Sequence, residues 1–267
     1  MGDDPFIEYL NAQGYAPIAL PRERFDPLTV LGGASPTTLE PYGTLADLLL
    51  PGASVPQIDS NDSAPSFADR RGSAVDASAG VNLLGSLLNV FGGSAAAAAA
   101  KYQQANSFQF LFLDVKHDSV SFLRLLTCLR TQPVQSATVQ SVAAIPYLYV
   151  VTDTLKSNRF GVIAYDTKGA ALKLDADAIK GVLGADASVA VAAGANNVMT
   201  YSGQSDLRFA FRAKRLRFDS SQAGGIALVV DDATQLASRF TEGDEAPPDA
   251  FDLPASGVAV DIATRTP

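Results

Sequence analysis

Residues 77–113, ASAGVNLLGSLLNVFGGSAAAAAAKYQQANSFQFLFL, carry one formal charge, Lys101, in 37 positions. A stretch that poor in charge either builds a core or enters a bilayer. A membrane-spanning helix needs about twenty predominantly apolar residues in succession. Here Ser78, Asn82, Ser86, Asn89, Gly92, Gly93 and Ser94 interrupt every such window. The segment is apolar enough for lipid and polar enough to stay folded in water. Leu83, Leu84, Leu87, Leu88 and Phe91 fall on one helical stripe with Asn82, Ser86 and Asn89 off it, which predicts a short amphipathic helix. Phe108, Phe110 and Phe112 alternate with Gln109 and Leu111, the period of a strand.

The surrounding chain is punctuated by Pro and Gly. Asp4 and Pro5 suit the start of a helix, with Phe6, Ile7 and Leu10 on its apolar face and Gly14 at its end. Strands are predicted over 15–20, ended by Pro21, and over 28–31, with a short helix over 42–50. Residues 51–76, rich in Pro, Ser, Asp and Gly, read as a loop. A buried helix is expected over 119–130. The second half reads mainly as strands, at 146–152, 159–166, 187–193, 198–202, 207–218 and 226–230. Between them Asp175 can cap a helix reaching Leu183, closed by Gly184. The expected fold class is α+β, a twisted, largely antiparallel sheet with packed helices and a C-terminal peptide docked on its surface. The strand at 207–218 has a core face, Leu207, Phe209, Phe211 and Ala213, and a basic face with Arg208, Arg212 and Lys214. That basic face reads either as a solvated sheet surface or as a site for acidic headgroups or an acidic tail.

The residues that enzymes use are scarce. The chain has one His and one Cys, too few for a multi-histidine or thiolate metal site. It lacks the GxSxG, P-loop and dinucleotide-binding fingerprints. His117, Asp118 and Ser119 are sequence neighbours, whereas triad members converge through the fold. Asp175 and Asp177 sit where a helix N-terminus favours acids. Cys128, in SFLRLLTCLR, reads as a core thiol. No catalytic residue and no cofactor are expected, and a net charge of −8 argues against a nucleic-acid partner.

That charge is concentrated at the C-terminus. From Asp219 onward two bases face nine acids, −7 net, against −1 for the 218 residues before. Residues 239–250, RFTEGDEAPPDA, are charged and Pro-containing, a suitable linker for proteolysis. The candidate cleavage residues are Arg239, Phe240, Asp244, Glu245 and Asp249. Beyond them Phe251, Leu253, Val258, Val260 and Ile262 can pack onto the body as a short docking peptide. The residues alone also fit a plain binding module whose acidic tail confers solubility.

The segments DPFIEYLNAQGYAPIALPRERFDPLTVL and YGTLADLLL resemble the N-terminal signature of the bacterial gasdermins. FQFLFLDV, PYLYVVTDTLKSNRFGVIAYD and LRFAFRAKRLRFD are similar to later strands of that family. The resemblance implies a cytoplasmic, monomeric protein of anti-phage defence, locked by its C-terminal peptide. An activating protease would cut the linker, and the freed body would oligomerise in the inner membrane as a β-barrel pore that kills the cell. The implied organisation is a pore-forming domain over 1–238, a cleavable linker over 239–250 and an autoinhibitory peptide over 251–267. The acylated N-terminal cysteine common in the family has no counterpart in this sequence, which begins Met1-Gly2-Asp3-Asp4, so no lipidation site is found. Two stretches are long enough for membrane hairpins, 77–113 and roughly 150–195. Their candidate inserting residues are Leu83, Leu87, Phe91, Phe108, Phe110, Phe112, Val162, Val189 and Val191. In the second stretch Val150 is apolar too, while Asp153, Lys156, Asp166, Lys168 and Lys173 would face a wet lumen or a turn.

Overall fold

The computed structural model describes residues 5–36, 38–67, 71–72, 74–90, 100–183, 189–219, 227–231 and 261–262. Helix α1, Pro5–Ala12, ends before Gly14, whose φ of +75° closes it. Strand β1 (Ala16–Arg22) follows, then β2 (Thr29–Ser35), β3 (Thr38–Thr44) and the four-residue helix α2 (Leu45–Leu48). Thr44 starts α2 by donating its backbone N–H to Asp47 Oδ2 at 2.7 Å, half of a capping box. Next come β4 (Ile58–Ser63), β5 (Val75–Asp76), α3 (Ala77–Val90), β6 (Ser107–Leu113), β7 (Lys116–Val120), α4 (Phe122–Thr131) and α5 (Ser136–Val142). The remainder is β8 (Tyr147–Tyr165), α6 (Ala176–Leu183), β9 (Ala190–Ala193), β10 (Met199–Asp219), β11 (Ala227–Asp231) and β12 (Asp261–Ile262).

All these strands belong to one sheet, antiparallel in every pairing except β12 on β3. Its spine is β8 against β10, strands of 19 and 21 residues, three to four times the usual length. Along these two strands the sheet divides into two levels. At the lower level the first half of β8 pairs with β2 and β7, and the second half of β10 pairs with β1 and β11. At the upper level the second half of β8 pairs with β6, and the start of β10 pairs with β9. We call the lower level the body and the upper level the arm.

Each level has packing of its own, and a further cluster joins them, with Phe112 of β6 stacked on Phe209 of β10 at 4.0 Å beside Leu155 and Val115. The body packs Val30, Leu45, Leu48, Leu125, Leu129, Leu148 and Val150 on one side. Ile18, Phe25, Leu31, Leu39, Tyr149, Val151 and Phe211 fill another. The arm packs Leu84, Leu87, Leu88, Tyr102, Phe108, Phe160, Val162 and Tyr201 together. Burial on this scale, at about 25 cal/mol per Å² of apolar surface, holds each level together.

The sheet bears out the α+β expectation, and several element boundaries move. Pro21 does not end β1. The strand runs on to Arg22 through an irregular stretch after Pro17, where the missing N–H of proline costs no regular ladder bond. Residues 42–44 extend β3, so only 45–48 are helical. The stretch 51–76 contains two strands, and β4 is held to β7 although IDSNDS is a poor strand sequence. Asn61, at φ +63°, bulges out and donates its N–H to Asp118 Oδ1 at 2.8 Å, so a carboxylate replaces the missing ladder partner. Ser119 and Val120 belong to β7. Helix α4 is amphipathic, with Leu125, Cys128 and Leu129 buried and Leu123 72% exposed. The four strands predicted at 146–152, 159–166, 198–202 and 207–218 are two continuous strands.

Candidate functional site

The arm is the part of the fold whose composition least resembles an ordinary surface element. Asp76 caps α3, accepting the backbone N–H of Ser78 at 2.9 Å and of Ala79 at 3.0 Å, as an N-cap carboxylate does. The helix then lays Leu84, Leu87 and Leu88 onto β6 and β8. Gly80 makes this close approach possible, because a Cβ there would lie 2.2 Å from the Phe108 ring. In β6, Phe108, Phe110 and Phe112 stand opposite Ala164, Val162 and Phe160 of β8. Between them Gln109 is tied down at both ends: its amide donates to Gly72 O at 2.7 Å, and its Oε1 accepts the Tyr165 hydroxyl at 2.9 Å.

Two tyrosines fasten the inside of the arm. The Tyr102 and Tyr201 hydroxyls lie 2.7 Å apart with both side chains fully buried. Desolvation pushes the pKa of both phenols well above the ordinary tyrosine range, so both stay neutral in the folded chain. Tyr201 stacks on Phe160 at 5.0 Å, and Tyr102 meets Phe108 at 5.3 Å. Helix α6 adds Ile179, with Asp175 Oδ1 accepting the Asp177 N–H at its start.

The structure brings the candidate residues together. Leu87, Phe108, Val162 and Val189 are members of the arm core, and Leu83, Phe110, Phe112 and Val191 pack against it. Phe91 lies outside the described residues. The second stretch, in contrast, divides at the boundary between levels. Val150 is a body residue, packed with Leu148 and Leu45. Lys156 faces no lumen in this state, since it is buried against Asp118 at 2.6 Å. Residues 150–158 pair with β2, β7 and the body half of β10, whose hydrophobic sides fix them there.

At the C-terminus Ile262 is described. Asp261 and Ile262 pair in parallel with Thr38 and Leu39 on the outer edge of β3, and β12 also lies against β1. Arg239, Phe240, Asp244, Glu245, Asp249, Phe251, Leu253, Val258 and Val260 lie outside the described residues.

The basic face of β10 is largely engaged within the molecule. Arg208 pairs with Asp26 at 2.6 Å, the Arg212 guanidinium lies 4.1 Å from the Tyr15 ring centroid, and Lys214 lies over the Phe122 ring. Cys128 is buried, its Sγ 3.4 Å from Ser54 O, and burial raises its thiol pKa, as expected of a core thiol. His117 sits half-buried on β7, 4.0 Å from Asp62, while its neighbour Asp118 is committed to Lys156. Among the described residues no group of His, Cys, Asp and Glu is arranged to hold a metal, and no helix is long and apolar enough to cross a membrane. Sequence reasoning named Lys156 and Arg208 but missed their grouping with Lys116 and Asp206 at the boundary of the two levels. Lys116, Lys156, Asp206 and Arg208 are scattered through the sequence, and only the strand register makes them neighbours.

Fold and site define an α+β protein in which an apolar arm of helix and strands is packed on a twisted antiparallel body. The sequence profile of the Bacterial Gasdermin Family matches residues 18–225, and the chain belongs to that family. It is 32% identical over 223 residues to a gasdermin of a Desulfuromonadales bacterium, covering 82% of this chain and 84% of that protein. It is also 32% identical over 244 residues to a gasdermin of Vitiosangium sp., covering 86% and 90%. The solved structure of a bacterial gasdermin from Bradyrhizobium tropiciagri superposes with a TM-score of 0.59 at 16% identity, covering 85% of this chain and 92% of that one. At that identity the superposition speaks to the fold.

Proposed function

We propose that this chain is an autoinhibited pore-former of bacterial anti-phage defence, without enzymatic activity of its own. A partner protease cuts within 239–250, the 251–267 peptide departs, and the body oligomerises into a β-barrel pore in the inner membrane, killing the cell. The observation that carries the reading is the arm. Its eight described candidate residues lie in or against one cluster, and Phe112 alone of them also packs against a body cluster, stacked on Phe209 at 4.0 Å. An apolar unit with an interior of its own can leave once the Phe112–Phe209 stack gives way.

Physical constraints set the remaining steps. Strands that cross a bilayer take about 9–11 residues each, and hydrocarbon tolerates no open sheet edge. The arm of one copy must therefore be joined on both sides by the arms of others. Pairing of Asp261 and Ile262 with β3 supports a C-terminal peptide that holds the body in its monomeric state. Each apolar side chain such a peptide buries contributes about 1.5–3 kcal/mol before ordering costs. A cut in the linker ends the tether and with it the high effective concentration of the peptide.

The test is dye release from liposomes by a variant carrying a specific protease site between Arg239 and Pro247. Release only after cleavage is the expected result. Intact vesicles after a cut verified on a gel would refute the reading. Leu253→Asp, which weakens docking of the peptide, is expected to leak without cleavage.

A further inference from the structure

The boundary between body and arm is a line of irregularities in three neighbouring strands. On β10, Ser202 pairs with Arg159 of β8 and Leu207 pairs with Ser157. Between those pairs β10 advances five residues and β8 two, so three residues of β10 are in excess and the stretch 203–206 loops out. On β8 the Ser157 hydroxyl accepts the Arg159 N–H at 2.9 Å and has two carbonyls within reach of its one proton, Arg159 O at 2.8 Å and Leu113 O of β6. Beside it β6 gives way to β7 at Asp114, φ +48°.

The register across this line places like charges together. Lys156 stands directly opposite Lys116 of β7 on one side and Arg208 of β10 on the other. Directly opposed side chains have Cβ atoms about 4.5–5.5 Å apart, and like charges so placed repel. Carboxylates from separate elements neutralise the row. Asp118 bonds Lys156 at 2.6 Å and approaches Arg208 at 3.9 Å. Asp26 pairs with Arg208. Asp206, from the looped-out stretch, reaches Lys116 at 3.6 Å and Lys156 at 3.9 Å. Lys156 and Asp118 side chains are only 6% and 4% exposed, so an uncovered cation here is expensive.

We propose that Asp206 is the pin of a hinge: it ties Lys116 and Lys156 to the looped-out stretch of β10, and its withdrawal releases the arm from the body. Straightening β8 and β10 into one continuous ladder requires the three excess residues to be taken up. Asp206 then moves away from Lys116 and Lys156; Lys156 keeps Asp118, and Lys116, without that carboxylate, faces the Lys156 ammonium across the strand pair, which works against return. The hinge so described has two arrangements, as a switching element must. The inference rests on the pore-forming reading for its purpose and on the register alone for its mechanics.

The test uses Asp206→Asn in the full-length, uncut chain, read by amide hydrogen exchange. Exchange in 107–113 and 199–202 is expected to accelerate about three- to tenfold, the range that losing one or two partly exposed ion pairs supplies, with β2 and β3 unchanged. The double variant Asp206→Asn with Lys116→Gln removes the repulsion along with the pin. It is expected to return to within about twofold of the parent, which a merely structural aspartate would not allow. Unchanged exchange in the single variant, or no recovery in the double, overturns the hinge. Dye release by the cleaved chains is a separate arm. A faster leak in the single variant supports the pin, and an equal leak in both overturns its role in the transition. A parent that never leaks refutes the pore reading and leaves exchange to decide the hinge.

Discussion

Replacing Tyr102 with Phe removes one half of the hydroxyl pair inside the arm and leaves the other half with nothing to bond. The two oxygens are 2.7 Å apart, and both side chains are fully buried. A buried polar group deprived of its partner costs about 1–3 kcal/mol. Tyr201→Phe strands the Tyr102 hydroxyl in the same way and carries the same cost. The double variant removes both hydroxyls and keeps both rings, so the contacts with Phe108 at 5.3 Å and Phe160 at 5.0 Å survive. Each single change is expected to cost about 1–3 kcal/mol, and the double change no more than either single, giving a coupling of at least about 1 kcal/mol. Urea unfolding of the uncut chain, followed by circular dichroism with the slopes compared, supplies the free energies. Hydrogen exchange then locates the loss, which belongs in 107–113, 160–165 and 199–202. Additive costs, or single costs under about 0.5 kcal/mol, would refute the pairing as the fastening of the arm.

The same burial predicts an alkaline limit to stability. Tyr15 is pushed up to about 12, chiefly by desolvation, and Tyr102 and Tyr201 shift in the same direction. Groups whose folded pKa is raised lend their full stability below the unfolded value of about 10 and lose it as pH climbs beyond. Stability should therefore fall above about pH 10, and phenolate absorbance should show Tyr15, Tyr102 and Tyr201 ionising late or only on unfolding. Those three ionising near the unfolded value, with the fold intact, would contradict this. Gly80→Ala should lower the melting temperature, because its methyl would lie 2.2 Å from the Phe108 ring. Overpacking of that kind costs about 1–3 kcal/mol, against about 1 kcal/mol gained in helix propensity; a raised melting temperature would show that α3 can shift away from β6 freely.

Periodicity and composition were enough for the elements in which side chains alone decide the conformation. The leucine stripe of α3, the alternating phenylalanines of β6 and the capped start of α6 were all legible, since each is set within a few residues. What was not legible depends on partners distant in sequence. IDSNDS becomes strand β4 because β7 lies beside it and Asp118 receives the Asn61 N–H. No local preference of that hexapeptide carries the information. The spine was misread for a related reason. Ser157, Asn158 and the stretch 203–206 look like breaks, and in isolated strands they would be. Here the breaks on β8 and β10 lie side by side at the boundary between the levels, and charged side chains take over the bonding where the ladder lapses. The positions that read as turns are thus the positions at which the sheet is pinned, and Lys156, expected to face a lumen, is buried there in its centre. An arm that must hold its place in water and still be able to leave needs its two ends joined by an interaction that can be undone. Apolar packing loses its driving force only in lipid, where the same side chains are equally at home, so it does not by itself release the arm while the protein is in water. In the proposed hinge, ion pairs at the joint serve that purpose, since a change of register would part them while each carboxylate and ammonium is free to be solvated.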